Sequence, residues 1–161
     1  MIKTIIAVYG RQNEGKSSTI KSTFSKLIND YVNYSIFPPL SQIYLTTDIY
    51  VVVTINNIRI GFESQGDPNS RIITQNTLEK LAANPSSSHF DPNYSNCDII
   101  VCASRTSGAT VTEVDRVANS FNYRTLWKSS YYAPNFNYEV INRIASEEIV
   151  SIIQSIITTE L

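Results

Sequence analysis

Thr4 to Tyr9 (TIIAVY) is an unbroken apolar, β-branched run, the pattern of a strand buried on both faces. Gly10 to Gly15 interrupts it as a loop. From Lys16 to about Tyr31 the apolar positions Ile20, Phe24, Leu27 and Ile28 recur at helical spacing, and Pro38-Pro39 bars any continuation. Ile49 to Ile55 (IYVVVTI) and Ile58 to Phe62 (IRIGF) read as strands. The Asn56-Asn57 pair between them tolerates the positive φ of a tight turn, so the two form an antiparallel hairpin.

Beyond the turn cluster Gly66 to Ser70, a helix is expected from about Arg71 to Ala83, carrying Ile73, Leu78 and Leu81. Asn84 to Asn96 is a polar loop. Asp98 to Ala103 (DIIVCA) is apolar enough for the centre of a sheet. Thr110 or Thr112 is placed to cap a helix running through Phe121, with Val114, Val117 and Ala118 inward. Tyr123 to Lys128 is a further strand. Asn137 to about Thr158 is the last helix, with Ile141, Ala145, Ile149, Ile152, Ile153 and Ile156 as its apolar stripe. Strands alternating with helices predict an α/β fold: a mostly parallel central sheet of about five strands, one of them antiparallel in the hairpin, with helices on both faces.

Composition narrows the function classes. The 161 residues suffice for one well-cored domain, and neither an internal repeat nor a domain boundary is visible. Thirteen basic and fourteen acidic residues leave a formal charge of -1, so nucleic acid is not indicated as a partner. The opening Met1 to Ile6 lacks the pattern of a signal peptide, and no stretch approaches the ~18 apolar residues of a membrane span. Cys97 and Cys102 make no disulfide framework and read as buried small hydrophobes; a cytoplasmic protein is expected. His89 has no second histidine near it and reads as a surface residue.

The chemistry lies in Gly10-Arg11-Gln12-Asn13-Glu14-Gly15-Lys16-Ser17, which matches G-x-x-x-x-G-K-[ST] throughout. The glycines let the backbone curl so that amides point inward. The helix that follows, through Ser18 and beyond, turns its positive end to the same place. Lys16 adds a point charge for β- and γ-phosphates, and Ser17 offers a hydroxyl to Mg²⁺. In this strand–loop–helix setting the segment resembles the P-loop NTPase superfamily, specifically over about Thr4 to Leu27. The resemblance implies one P-loop domain over residues 1–161, binding Mg²⁺ and a nucleoside triphosphate, ATP or GTP.

Such proteins place an acidic residue at the end of a strand beside the P-loop strand. Here Glu63 ends the strand Ile58–Glu63 and Asp67 follows; either is a candidate for the metal side. The hairpin after the P-loop helix also resembles the layout of Ras-like GTPases. Glu63-Ser64-Gln65-Gly66 would then stand for D-x-x-G, with Glu for Asp, and Thr46 or Thr47 for the γ-phosphate sensor. Gln65 would orient water and Gly66 would meet the γ-phosphate. No N-K-x-D pattern follows the later strands, which favours ATP over GTP.

Three uses of the nucleotide remain open at this point. The first is a hydrolase, possible under a protein partner's control, with Lys16, Glu63, Gln65 and Arg105 as its catalytic set. The second is a small kinase using Arg71, Arg105 and Arg116 around the transferred phosphate, with Glu63 or Asp67 as base. The third is a non-catalytic interaction module. For that one, the aromatics Tyr31, Tyr34, Phe37, Tyr44, Tyr131, Tyr132, Phe136 and Tyr138 would supply a partner surface.

Overall fold

The computed structural model describes residues 1–159. Six strands form one mixed sheet in the order β2-β3-β4-β5-β1-β6. They are β1 (Thr4–Tyr9), β2 (Ser35–Phe37), β3 (Tyr50–Ile55), β4 (Ile58–Glu63), β5 (Ile99–Ser104) and β6 (Arg124–Ser129). β1 pairs in parallel with β5 and β6, and β4 in parallel with β5. β3 is antiparallel to both of its neighbours, β2 and β4. All strands but β3 therefore run the same way.

The apolar run of β1 follows from its central place. Ile6 and Val8 turn to one face, where Ile20, Phe24 and Leu27 of α1 (Lys16–Asp30) meet Ile149, Ile153 and Ile156 of α5 (Tyr138–Ile157). Ile5 and Ala7 turn to the other face. There they meet Ile72 of α2 (Arg71–Thr74), Leu78 and Leu81 of α3 (Thr77–Ala82), and Val114 and Val117 of α4 (Ala109–Phe121). Helices thus cover both faces, and period-2 alternation sorts one strand between two cores. Phe24 and Phe62 meet edge to face at 5.7 Å between centroids, locking α1 to β4.

The hairpin turn is as expected: Asn56 and Asn57 hold φ of 52° and 64°. Four expectations are corrected. β2 is an added edge strand, too short among polar and proline neighbours to show a period. β4 does not stand beside β1, because β5 pairs with both and fills the place between them. The helix expected over 71–83 is two short helices, since Asn76 takes φ 53° and breaks the ladder. Neither Thr110 nor Thr112 caps α4. Gly108 precedes the helix, and Thr110 is buried within it, accepting hydrogen bonds from the Arg105 amide at 3.0 Å and Ser104 Oγ at 3.2 Å.

Cys97 and Cys102 are free and buried, and burial pushes both thiols up to about 12. His89 lies 3.1 Å from Glu79 Oε1. Among the described residues, no helix is long and apolar enough to cross a membrane. The aromatics divide: Tyr31 and Tyr34 pack against the core and Phe37 sits edge-on to Tyr94, whereas Tyr44, Tyr132 and Phe136 are exposed.

Candidate functional site

β1 sits where the chain reverses direction across the sheet. From β1 it passes to β4 and β5 on one side, and from β5 it crosses to β6 on the other. Crevices at such points, at the carboxyl ends of parallel strands, are where open α/β sheets place ligands. The Gly10–Ser17 loop lies there. Its start is pinned by Gly10 N–H donating to Ser104 O and Ser130 N–H donating to Tyr9 O. Gly15 takes φ 76°, in the left-handed region that favours glycine, and a Cβ there would meet the side chain of Asn142.

α1 begins at Lys16 with no side-chain cap and no acidic residue in its first turn. Its first amides are therefore left without intrahelical or capping partners at the cavity. Lys16 is buried, and its Nζ donates to Gly10 O at 3.0 Å and Arg11 O at 2.5 Å. Burial holds this ammonium below its ordinary value, and Arg105 lowers it further; Asp67 and Glu14 offset part of the effect. Glu14 itself is engaged within the loop, accepting from Arg11 N–H at 2.7 Å and from Ser130 Oγ at 3.3 Å.

Facing the loop is a carboxylate that the sequence reading did not single out. Ser17 Oγ donates to Asp48 Oδ1 at 2.5 Å, and Ser64 Oγ donates to the same oxygen at 2.8 Å. Asp48 stands two residues before β3, separated from it by Ile49. Because β3 runs against the other strands, its beginning lies at the edge where β4 ends. The available signal was an acidic residue just before an antiparallel strand, read together with that strand's direction.

The remaining sequence candidates divide. A cavity of about 390 Å³ is lined by residues 12–18, Asp48, residues 64–67, Tyr138 and Asn142. It thus brings together Gln12, Asn13, Glu14, Gly15, Lys16, Ser17 and Ser18 with Gln65, Gly66 and Asp67. Arg105 Nη2 pairs with Asp67 Oδ1 at 2.8 Å, while its Nε is buried without a partner. Gln65 Oε1 accepts the Arg71 amide at 2.8 Å, so its side chain is tied to the start of α2.

Glu63 is not among the residues lining the cavity. It is fully buried and gripped by Arg71, with Nη2 to Oε1 at 2.8 Å and Nε to Oε2 at 3.3 Å, and it also accepts from Gln65 N–H. Burial pushes its carboxyl up, and Arg71 opposes the shift. Arg116 pairs with Glu113 and Glu79 on α4 and α3. Thr46 and Thr47 are exposed and do not line the cavity; Thr47 Oγ1 donates to Tyr44 O.

No family model, curated protein or solved structure matches the chain. What the site does must therefore be argued from its own groups. They are an uncapped helix start, a buried ammonium held by carbonyls, an Arg105–Asp67 ion pair whose carboxylate lines the cavity, and a hydroxyl–carboxylate pair.

Proposed function

We propose that this protein binds a nucleoside triphosphate with Mg²⁺ in the Gly10–Ser17 loop and hydrolyses it, with a protein partner regulating turnover. One observation carries the reading: the buried Lys16 ammonium lies at the uncapped start of α1, held by two loop carbonyls. Glu14, Asp48 and Asp67 also line the cavity, so the affinity for an anion rests on the loop and helix-start amides and on Lys16, and the full G-x-x-x-x-G-K-S spacing suits a polyphosphate. Lys16 would exchange the carbonyls of Gly10 and Arg11 for β- and γ-phosphate oxygens.

The donor set fits Mg²⁺. Ser17 Oγ and Asp48 Oδ1 are hard oxygen donors already side by side. That suits an ion which keeps several waters and takes one or two protein oxygens plus phosphates. When bound, Mg²⁺ neutralises charge on the phosphate oxygens. Asp48 thus takes the role for which Glu63 and Asp67 were the sequence candidates.

For turnover, Arg105 is the group to face charge developing on the transferred phosphate, once Asp67 releases it. Gln65 is the group to orient water, once its amide oxygen leaves the Arg71 N–H. Both are tied in the structure, and these ties are natural points for a partner to act. The kinase reading is weaker, because Arg71 and Arg116 are committed to carboxylates away from the loop. No N-K-x-D pattern is present, so the sequence supplies no basis for selecting guanine.

The test is titration calorimetry with ATP, GTP, CTP and UTP, with and without Mg²⁺, followed by phosphate-release assays. Binding of Mg·ATP that Lys16→Ala abolishes is the expected result; wild-type affinity in that variant would overturn the assignment. Phosphate release without an acceptor supports hydrolysis. Release only with an added acceptor transfers the site to kinase chemistry, and tight binding without release to an interaction module.

A further inference from the structure

Besides the loop residues with Lys16, and Asp48 and Asp67, the cavity is lined by Tyr138 and Asn142 from the first turns of α5. At i and i+4 these two side chains share a face of the helix. Tyr138 is about half exposed, and among the described residues neither its hydroxyl nor the Asn142 amide has a hydrogen-bond partner. Tyr138 is the single aromatic side chain on the cavity wall among the described residues.

The platform is held firmly. Asn137 caps α5 by accepting from the amides of Glu139 at 2.9 Å and Val140 at 3.4 Å, which fixes the turn bearing Tyr138. Ser22 Oγ donates to Ser146 Oγ at 3.1 Å, and Lys26 pairs with Glu147 at 3.3 Å, tying α5 to α1. The side chain of Asn142 lies directly against Gly15, so the platform abuts the phosphate loop.

Resting on the nucleotide reading above, we infer that Tyr138 and Asn142 form the base subsite, and that it takes purine nucleotides without separating adenine from guanine. Tyr138 supplies a π-face on which the base stacks, and the larger purine ring stacks more strongly than a pyrimidine. Asn142 offers both a carbonyl oxygen and an NH₂ group, so rotation of its amide meets either purine's edge. Among the described residues, α5 contributes only Tyr138 and Asn142 to the lining, neither of them a carboxylate to favour guanine's paired donors.

The experiment compares Mg·ATP, Mg·GTP, Mg·CTP and Mg·UTP with Mg·tripolyphosphate, which has phosphates but no base. Proteins are wild type, Tyr138→Ala, Tyr138→Phe and Asn142→Ala. In wild type, ATP and GTP should bind within a few-fold of each other and more tightly than CTP or UTP. Tyr138→Ala should weaken ATP and GTP about tenfold or more and leave tripolyphosphate unchanged. Tyr138→Phe should retain purine affinity, since the stacking face remains, and Asn142→Ala should weaken both purines alike. Tripolyphosphate bound normally, with ATP indifferent to Tyr138→Ala, overturns the base subsite and leaves the phosphate site standing. Equal losses of ATP and tripolyphosphate in Tyr138→Ala also overturn it, by making Tyr138 a support of the loop. Four triphosphates bound equally well would refute the purine preference. A wild type that binds neither tripolyphosphate nor ATP removes the phosphate reading and this inference together.

Discussion

Ser17 Oγ and Asp48 Oδ1 lie 2.5 Å apart, joining the first turn of α1 to the segment just before β3. If that pair faces the metal, removing the Asp48 charge should reduce the part of nucleotide affinity that depends on Mg²⁺. Asp48→Asn keeps the size of the side chain and should lower Mg·ATP affinity by about 10–100-fold, with much less effect on metal-free ATP. Ser17→Ala should show the same pattern. Calorimetry at several Mg²⁺ concentrations reads the difference; equal losses with and without the metal would assign Asp48 to holding the loop instead.

Lys16 makes binding dependent on pH. Burial and then Arg105 keep its ammonium below the ordinary 10.5 in the free protein. Between the lowered folded value and 10.5 the unfolded chain binds more protons, so this group's contribution to stability rises with pH across that interval. A polyphosphate acts in the opposite sense, because it favours the ammonium. Affinity should be full below the lowered value and fall as pH climbs through it. Calorimetry in buffers of different ionisation heat should show proton uptake on binding that grows as pH is raised through the lowered value toward 10.5. Proton release over that interval would contradict the contact between Lys16 and phosphate.

What could be read from the chain follows from the range of the forces involved. The Gly10–Ser17 loop is local: one strand, one turn and one helix start within a single contiguous stretch, so spacing alone locates Lys16 and Ser17. The burial of β1 and the Asn56-Asn57 turn are local in the same sense. Strand order is not. Nothing in the residues of β4 says that β5 will slip between it and β1, since both are six-residue strands buried over most of their length. Asp48 and Glu63 show the consequence. Each flanks or ends a strand of the same hairpin, yet Asp48 meets Ser17 while Glu63 is claimed by Arg71. Which carboxylate faces the loop depends on strand direction and on a partner in another element.

Gly66 lies against the end of β5. A Cβ there would stand 2.5 Å from the carbonyl carbon and Cβ of Ala103 and 2.6 Å from its oxygen. These are mostly backbone atoms of a central strand and cannot swing aside. Gly66→Ala should therefore push residues 64–67 off β5 and cost about 1–3 kcal/mol. Thermal unfolding should show a lower Tm, and Mg·ATP affinity should fall with it because Ser64 supports Asp48. An unchanged Tm would mean that this contact is looser than the structure has it.

The Glu63–Arg71 pair predicts a stability effect separable from binding. Glu63 is fully buried, and Arg71 supplies its compensating charge with two hydrogen bonds. Removing the arginine leaves a carboxylate in the core, so Arg71→Ala should destabilise the fold by about 3 kcal/mol at neutral pH. The sign with pH follows from the cause. Burial already raises the Glu63 carboxyl above 4.5, and Arg71 is the main opposing influence. Without Arg71 the folded value rises further, so the folded state binds more protons than the unfolded one above 4.5. The deficit should therefore be largest at neutral pH and shrink as pH falls through the raised value and Glu63 becomes protonated. Glu63→Gln in the Arg71→Ala background should recover part of the loss, because a neutral amide costs less to bury than a carboxylate. Urea denaturation at about pH 7 and about pH 5 measures both effects. Neither Glu63 nor Arg71 lines the cavity, so Mg·ATP affinity of the folded variants should stay within a few-fold of wild type. A large, selective loss of affinity with stability intact would return Glu63 to the metal side, where the strand-end position first placed it.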